Sequence, residues 1–259
     1  MKNQEENWLL EEKYNGKKTD SFFADVASLR NGTPLAYLIG SIPFLDCTIY
    51  LDSHPLIPRT ETEYWTEKAI TEIQKVENPK VLDLCAGSGA IGVAAAKAIP
   101  EAHVDFAEID STHLSTIERN IKENLSSRQG LALAQKCKII ESNLFTPSSR
   151  QGLELGKYDF ILTNPPYIDP AVDRAETSVK MHEPHLALYG GVAGMECIAR
   201  IITDAPAHLA PGGQLWVEHE PEQVSAIAAC ATANGFTCVI HNDQYNTPRY
   251  SVLTHTVAK

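Results

Sequence analysis

Asn164-Pro165-Pro166-Tyr167 is the segment whose residue types say most about chemistry. Two consecutive prolines lock the backbone and remove two N–H donors, leaving carbonyl acceptors aimed outward. The Asn164 side-chain oxygen and the Pro165 carbonyl then form a rigid acceptor pair for a planar NH2 group, and Tyr167 supplies a face for packing it. With Pro at about 5% and Asn and Tyr at a few per cent each, chance produces this tetrapeptide in such a chain on the order of once in a thousand. A loop-ending proline pair explains the prolines but not their placement. They directly follow Asp159-Phe160-Ile161-Leu162-Thr163, at the C-terminal end of a strand, where open α/β sheets bind their ligands. Such a site suits methyl transfer to an amide or exocyclic amine. Two acceptors on the nitrogen's hydrogens favour the pyramidal form whose lone pair attacks a methyl in line. No strong base is required first, because the nitrogen becomes acidic once it is quaternised.

The second group of residues is Val81-Leu82-Asp83-Leu84-Cys85-Ala86-Gly87-Ser88-Gly89-Ala90-Ile91-Gly92, which reads as a strand, a tight turn and a helix start. Gly87, Gly89 and Gly92 spell G-x-G-x-x-G, whose glycines let a ligand approach the backbone and whose helix N-terminus favours an anion. Glu108 closes the next strand, where a carboxylate hydrogen-bonds the hydroxyls of an adenosine ribose. NAD and S-adenosylmethionine share that ribose. Asp83, ahead of the glycines, suits a cationic ligand end such as an ammonium or sulfonium; its other reading is a cap on the turn, bonding backbone amides.

These residues need a scaffold, and the pattern from Lys80 onward supplies one. Short apolar runs alternate with helical periodicity, the signature of βα units and a mainly parallel sheet. The pattern predicts strands near 80–85, 103–109, 137–141, 158–163, 213–219, 236–241 and 249–256. Helices are expected near 90–98, 111–124, 195–209 and 222–234, the last stopped by Asn234 and Gly235. A short polar loop joins the final two strands, so they pair antiparallel, giving a seven-stranded sheet with a reversed last strand. Before Lys80, residues 20–30 read as a helix, 44–51 alternate like a β-ribbon, and Thr60 with Glu63 forms a capping box opening a helix to about 74. The expected division is a small appendage and ribbon over 1–52 and a larger α/β domain over 53–259.

Composition narrows the function. With 22 basic against 33 acidic residues the net charge is −11, which repels polyphosphates and disfavours nucleic acid as a direct partner. No apolar run approaches the roughly 18 residues of a membrane span, and the first ten residues lack a secretory h-region, so a cytoplasmic location is expected. The six cysteines form no CxxC pair, and neither a zinc site nor a disulfide framework is indicated. His182-Glu183-Pro184-His185 looks metal-like, but the proline breaks the helical spacing of a zinc pair; it reads as a loop near the site. Trp8, Trp65 and Trp216 read as packing residues.

The sequence from about Arg30 onward resembles the HemK/PrmC protein-(glutamine-N5) methyltransferases. Arg30 to Tyr37 and Gly40 look like that family's linker, Leu56 to Glu63 resembles its IPRPETE segment, and Asp83 to Gly89 matches its cofactor loop. Glu108 matches the ribose acid, Ser142-Asn143-Leu144-Phe145 the adenine-side segment, and Asn164 to Ile168 the NPPYI. Glu183-Pro184, Ala187-Leu188, Gly190-Gly191, Gly194-Met195 and the stretch Glu218 to Gln223 also fit. The resemblance implies a class I S-adenosylmethionine-dependent methyltransferase fold. It implies a cofactor held by Asp83, Cys85, Ala86, Gly87, Ser88, Gly89, Glu108, Asn143, Leu144 and Asn164. It also implies catalysis by Asn164, Pro165 and Tyr167, with Pro166 in the substrate site, and as substrate the Gly-Gly-Gln glutamine of class-1 peptide chain release factors. The sequence departs from the pattern at Cys85 (usually glycine), Ala86 (threonine), Asn143 (aspartate), Thr60 (proline) and Ala193 (aspartate), and in a shorter N-terminal stretch, expected to dock the protein substrate. Two other activities use some of the same residues. An amino methyltransferase of a nucleic-acid base, or of a ribosomal-protein glutamine, would use the acceptor pair; an NAD(P)-dependent oxidoreductase would use only the glycines and Glu108.

Overall fold

Strands buried on both faces need a helical layer on each side, and the central strands of this chain are of that kind. The computed structural model describes residues 2–125, 136–148, 154–172 and 176–255. The chain opens with α1 (Lys2–Glu12), α2 (Asp20–Arg30) and α3 (Leu35–Ile39), which share a small core of Leu9, Phe22 and Val26. A hairpin follows, β1 (Ser41–Phe44) and β2 (Cys47–Tyr50), paired antiparallel. The alternation read over 44–51 is only its second arm, because the chain reverses at Leu45, whose φ is +49°. Phe44, Cys47, Ile49 and Leu51 belong to a large core shared with α4 (Thr60–Ile73), α5 (Ala90–Ala98) and α6 (Leu114–Asn124). Asn120 of α6 fastens the hairpin, accepting from Tyr50 N at 2.7 Å and donating to Tyr50 O at 3.0 Å.

The main sheet comprises β3 (Lys80–Leu84), β4 (His103–Glu108), β5 (Cys137–Asn143), β6 (Thr146–Pro147), β7 (Tyr158–Thr163), β8 (Leu209–Glu218), β9 (Phe236–Asn242) and β10 (Pro248–His255). Their spatial order is β6-β5-β4-β3-β7-β8-β10-β9. β5, β4, β3, β7 and β8 run parallel, and β10 lies antiparallel between β8 and β9. Side chains alternate between two cores: Val81, Val104, Phe106, Phe160 and Leu162 face α4, α5 and α6, whereas Leu82, Leu84, Ile161, Leu215 and Val217 face α9 (Glu196–Asp204) and α10 (Val224–Ala233). Two short helices, α7 (Thr177–His182) and α8 (His185–Leu188), lie between β7 and α9.

Seven strands and the reversed last one stand as expected, and residue 256 lies outside the described residues. Three differences have local causes. The eighth strand, β6, is only two residues long, too short for any alternation to register. The helix expected over 195–209 ends at Asp204 and gives way to a tight turn carrying Pro206, which removes an N–H from the helical ladder; the strand therefore starts at Leu209. The Thr60–Glu63 capping box does not form: Arg59 is the cap residue, and the Glu63 carboxylate instead accepts from Leu45 N at 2.5 Å, satisfying the hairpin turn.

Gly92 lies in α5, where alanine is ordinarily better than glycine by about 1 kcal/mol. Here a Cβ would overlap the Phe106 ring and meet Asp83 Cβ at 3.0 Å. Phe106 is fully buried, and overpacking of this kind costs about 1–3 kcal/mol. Gly92→Ala is expected to lower the urea unfolding midpoint; a midpoint at or above that of the parent would mean that the ring has room to move.

Candidate active site

The parallel strands β3, β4, β5 and β7 end on one edge of the sheet, so the segments that follow them converge. They line a cavity of about 370 Å³, walled on its other sides by Leu56, Pro58 and Thr62 and by the chain from Pro184 to Gly191. Cys85, Ala86, Gly87, Ser88, Glu108, Asn143, Leu144, Asn164 and Pro166 all contribute to it. Asp83, Gly89, Pro165 and Tyr167 do not line it.

After β3 the chain reverses through left-handed conformations at Cys85 (φ +59°), Gly87 (φ +55°) and Gly89 (φ +78°). Cys85 thus adopts the conformation that a glycine takes freely. Glu108 holds this turn: Oε2 accepts from Gly87 N at 2.7 Å and Oε1 from Asp110 N at 2.8 Å. Each oxygen keeps a lone pair for a ligand hydroxyl. On the β5 side, Ser142 Oγ donates to Leu144 O at 2.5 Å, and Leu144 (φ +53°) turns into the cavity wall.

Asp83 sits behind the turn. It shares the face of Val81 and is fully buried, and its Oδ2 accepts from Gly92 N in the first turn of α5 at 2.8 Å. Burial, with Glu108 nearby, pushes its carboxyl well above the usual range. This is the capping role rather than contact with a cationic ligand, because strand alternation aims the side chain at the helix and away from the cavity.

Asn164 projects from the end of β7, and its Nδ2 donates to Thr62 Oγ1 at 3.1 Å. The loop beyond is clamped from several sides. Gln223 Nε2 donates to Tyr167 O at 2.7 Å, Ile168 N donates to Leu188 O at 2.9 Å, and Gly190 N donates to Ile168 O at 3.0 Å. A Cβ at Gly190 would overlap Pro166 O, and one at Gly194 would overlap Tyr167 O, so both glycines allow close backbone approach. The Tyr167 ring packs on the second core with its hydroxyl donating to Glu218 Oε1 at 3.0 Å. It is therefore not the packing face for a ligand that the sequence suggests; a buried phenol needs a partner, and that partner lies behind the loop.

Glu218, at the end of β8, is buried and collects two further donors on Oε2: Thr62 Oγ1 at 2.7 Å and Trp65 Nε1 at 2.6 Å. Burial raises its pKa, and the bonds from Trp65, Thr62 and Tyr167 offset only part of that rise. A second buried carboxylate, Glu183, accepts from Arg59 Nη2 at 2.6 Å and from Ile57 N at 3.1 Å, tying two cavity walls together. In the same stretch His185 Nε2 bonds Lys180 O at 2.9 Å. Among the described residues no group of three or more His, Cys, Asp or Glu side chains is placed to hold a metal ion. No local pattern marks Thr62, Glu218 or Gln223, although all three lie in segments that carry the family resemblance.

Comparison with known proteins agrees with this arrangement. Residues 64–184 match the Methyltransferase small domain. The chain is 36% identical over 216 residues to the release factor glutamine methyltransferase of Rhodopirellula baltica, covering 81% of this chain and 69% of that protein. The enzyme of the same name from Deinococcus radiodurans is 31% identical over 218 residues, covering 84% and 73%. Among solved structures, a methyltransferase from Pyrococcus furiosus superposes with a TM-score of 0.57 at 18% identity, covering 89% of this chain and 97% of that one. That likeness is one of fold, the class I methyltransferase sheet with its inserted antiparallel strand. With a third or more of its residues shared across most of its length with such an enzyme, and the motif segments gathered at one cavity, this chain belongs to the release factor glutamine methyltransferase family.

Proposed function

We propose that this protein transfers a methyl group from S-adenosylmethionine to the side-chain amide nitrogen of the glutamine in the Gly-Gly-Gln motif of class-1 release factors. The observation that carries the reading is the Asn164 amide: its NH2 end is taken by Thr62, leaving Oδ1 to accept from a substrate. The net charge of −11 supports a protein rather than a nucleic acid as the partner.

The cavity fits the cofactor. Its volume of about 370 Å³ is in the small-molecule range. Glu108 has lone pairs free for ribose hydroxyls, and nothing lies within 4 Å of where a Gly87 side chain would begin, so a ligand can approach that backbone. Glu108, Gly87, Asn143 and Leu144 would hold the cofactor. When bound, it supplies an electrophilic methyl on a sulfonium. Asn164 Oδ1, on the cavity wall, would accept a hydrogen of the substrate amide and hold its nitrogen facing that methyl. The substrate nitrogen held there would take that methyl and, made acidic by it, would lose its proton to water. We assign residues 1–52 to docking of the protein substrate, since every cofactor segment begins at or after Asp83.

Glu108→Ala removes a charge-assisted hydrogen bond worth about 1.5–3 kcal/mol. Calorimetry is expected to show roughly tenfold or greater loss of S-adenosylmethionine affinity; unchanged affinity would remove Glu108 from the ribose site. Asn164→Ala keeps the proline-locked loop and is expected to bind cofactor normally while losing about 10² to 10³ in single-turnover rate, read by mass spectrometry on the Gly-Gly-Gln peptide. Asn164→Asp is expected to be impaired too, because it adds negative charge beside the sulfonium and favours the ground state. A near-parental rate in Asn164→Ala would overturn the mechanism. Deleting residues 1–28 is expected to spare cofactor binding and to slow methylation of intact release factor; equal rates for the two proteins would refute the docking role.

A further inference from the structure

We infer that Glu218 and Thr62 determine which end of the Asn164 side-chain amide faces the cavity, and so act as positioning residues for methyl transfer. The inference rests on the acceptor role proposed above for Asn164.

A carboxamide presents an oxygen at one end and an NH2 of nearly the same shape at the other. With the NH2 end toward the cavity, Asn164 would set donor against donor and repel the substrate amide it is meant to hold. Something must break this symmetry. Thr62 Oγ1 is the atom against Asn164, 3.1 Å from Nδ2. A hydroxyl can act either way: it carries one hydrogen and two lone pairs. Its hydrogen is committed to Glu218 Oε2, 2.7 Å away, so only lone pairs remain to face Asn164, and only the NH2 end satisfies them.

Glu218 could in principle reverse the chain by carrying a proton on Oε2 and donating it to Thr62. The indole of Trp65 works against this. Its Nε1–H is a donor with no acceptor capacity, and it points at the same Oε2 from 2.6 Å. A carboxyl oxygen that kept its proton would be a poorer acceptor for that indole, so the indole favours the ionised form, in which Oε2 can only accept from Thr62. The third donor, Tyr167 Oη, lies 3.0 Å from the other oxygen and leaves Oε2 as it is. The sequence of bonds from Asn164 to Thr62 to Glu218, met by Trp65 from the far side, therefore has one polarity, and it ends with Asn164 Oδ1 as the free acceptor.

The test is a double-mutant cycle over Thr62→Val and Asn164→Ala, read by single-turnover methyl transfer to release factor with cofactor affinity measured in parallel. Thr62→Val keeps the shape and removes the hydroxyl. It is expected to slow transfer about tenfold to a hundredfold, the usual effect of a misplaced reacting group, with unchanged S-adenosylmethionine affinity. Adding it to Asn164→Ala is expected to cost nothing more, because a residue that acts only through Asn164 has nothing left to position. Thr62→Ser, which restores the hydroxyl, is expected to restore the rate. Should the valine variant not fold, Thr62→Ala in the same cycle answers the question. Parental rates in Thr62→Val beside a slow Asn164→Ala overturn the inference while leaving the acceptor role intact. So do multiplicative losses in the double variant, or a Thr62→Ser as slow as Thr62→Val. A fast Asn164→Ala overturns both.

Discussion

A carboxylate taken out of water must be met by donors or it destabilises the fold, and Glu218 is such a group. Its three donors come from two places distant in the chain: Thr62 and Trp65 on α4, and Tyr167 on the loop after β7. Satisfying that charge brings the first helix of the large core, the proline loop and the end of β8 to one point. The loop cannot move away without taking the Tyr167 donor from Oε1, and α4 cannot rotate without losing two bonds at once. The rigidity that two prolines give the backbone locally is thus extended to the surrounding elements by one buried charge.

The cofactor side of the cavity is organised by a comparable device. Glu108 bonds backbone amides on both its own loop and the glycine turn, so a residue of the cavity wall also shapes the turn beside it. Asp83 performs the corresponding task from below, fixing the start of α5 through Gly92. Two acids that look equivalent in the sequence therefore stand on opposite sides of the same turn, one toward the cavity and one toward the helix. The wall opposite is tied by the Arg59–Glu183 ion pair, with Glu183 buried and Arg59 part exposed.

Much of this architecture was legible in the sequence because it rests on local pattern. Alternating apolar runs located the strands, and the motif segments after them, Asn164 and Pro166 among their residues, line the cavity. What escaped was decided by partners far away in the chain. Glu63 has the spacing of a capping box, yet it is drawn to Leu45 N by a hairpin turn that no local pattern reveals. Tyr167 reads as a ligand face, but the buried carboxylate behind it claims its hydroxyl. Thr62 is an unremarked residue in an acidic helix start, and its value depends on Asn164 and Glu218, each more than a hundred positions away in the chain. The glycines at 190 and 194 carry no chemical signal of their own; only the carbonyls they admit explain them.

The bonds that shape the site join residues separated by 102, 126 and 156 positions. Each closes a long loop whose entropic cost must be met before the contact gives anything back, so no short segment, however well formed, contains the site. The bond that orients Asn164 forms only when α4, the sheet and the proline loop are assembled together. Local opening of α4 would take Thr62 from Asn164 and both Thr62 and Trp65 from Glu218 at once, so the orientation of the amide is only as stable as the docking of that one helix.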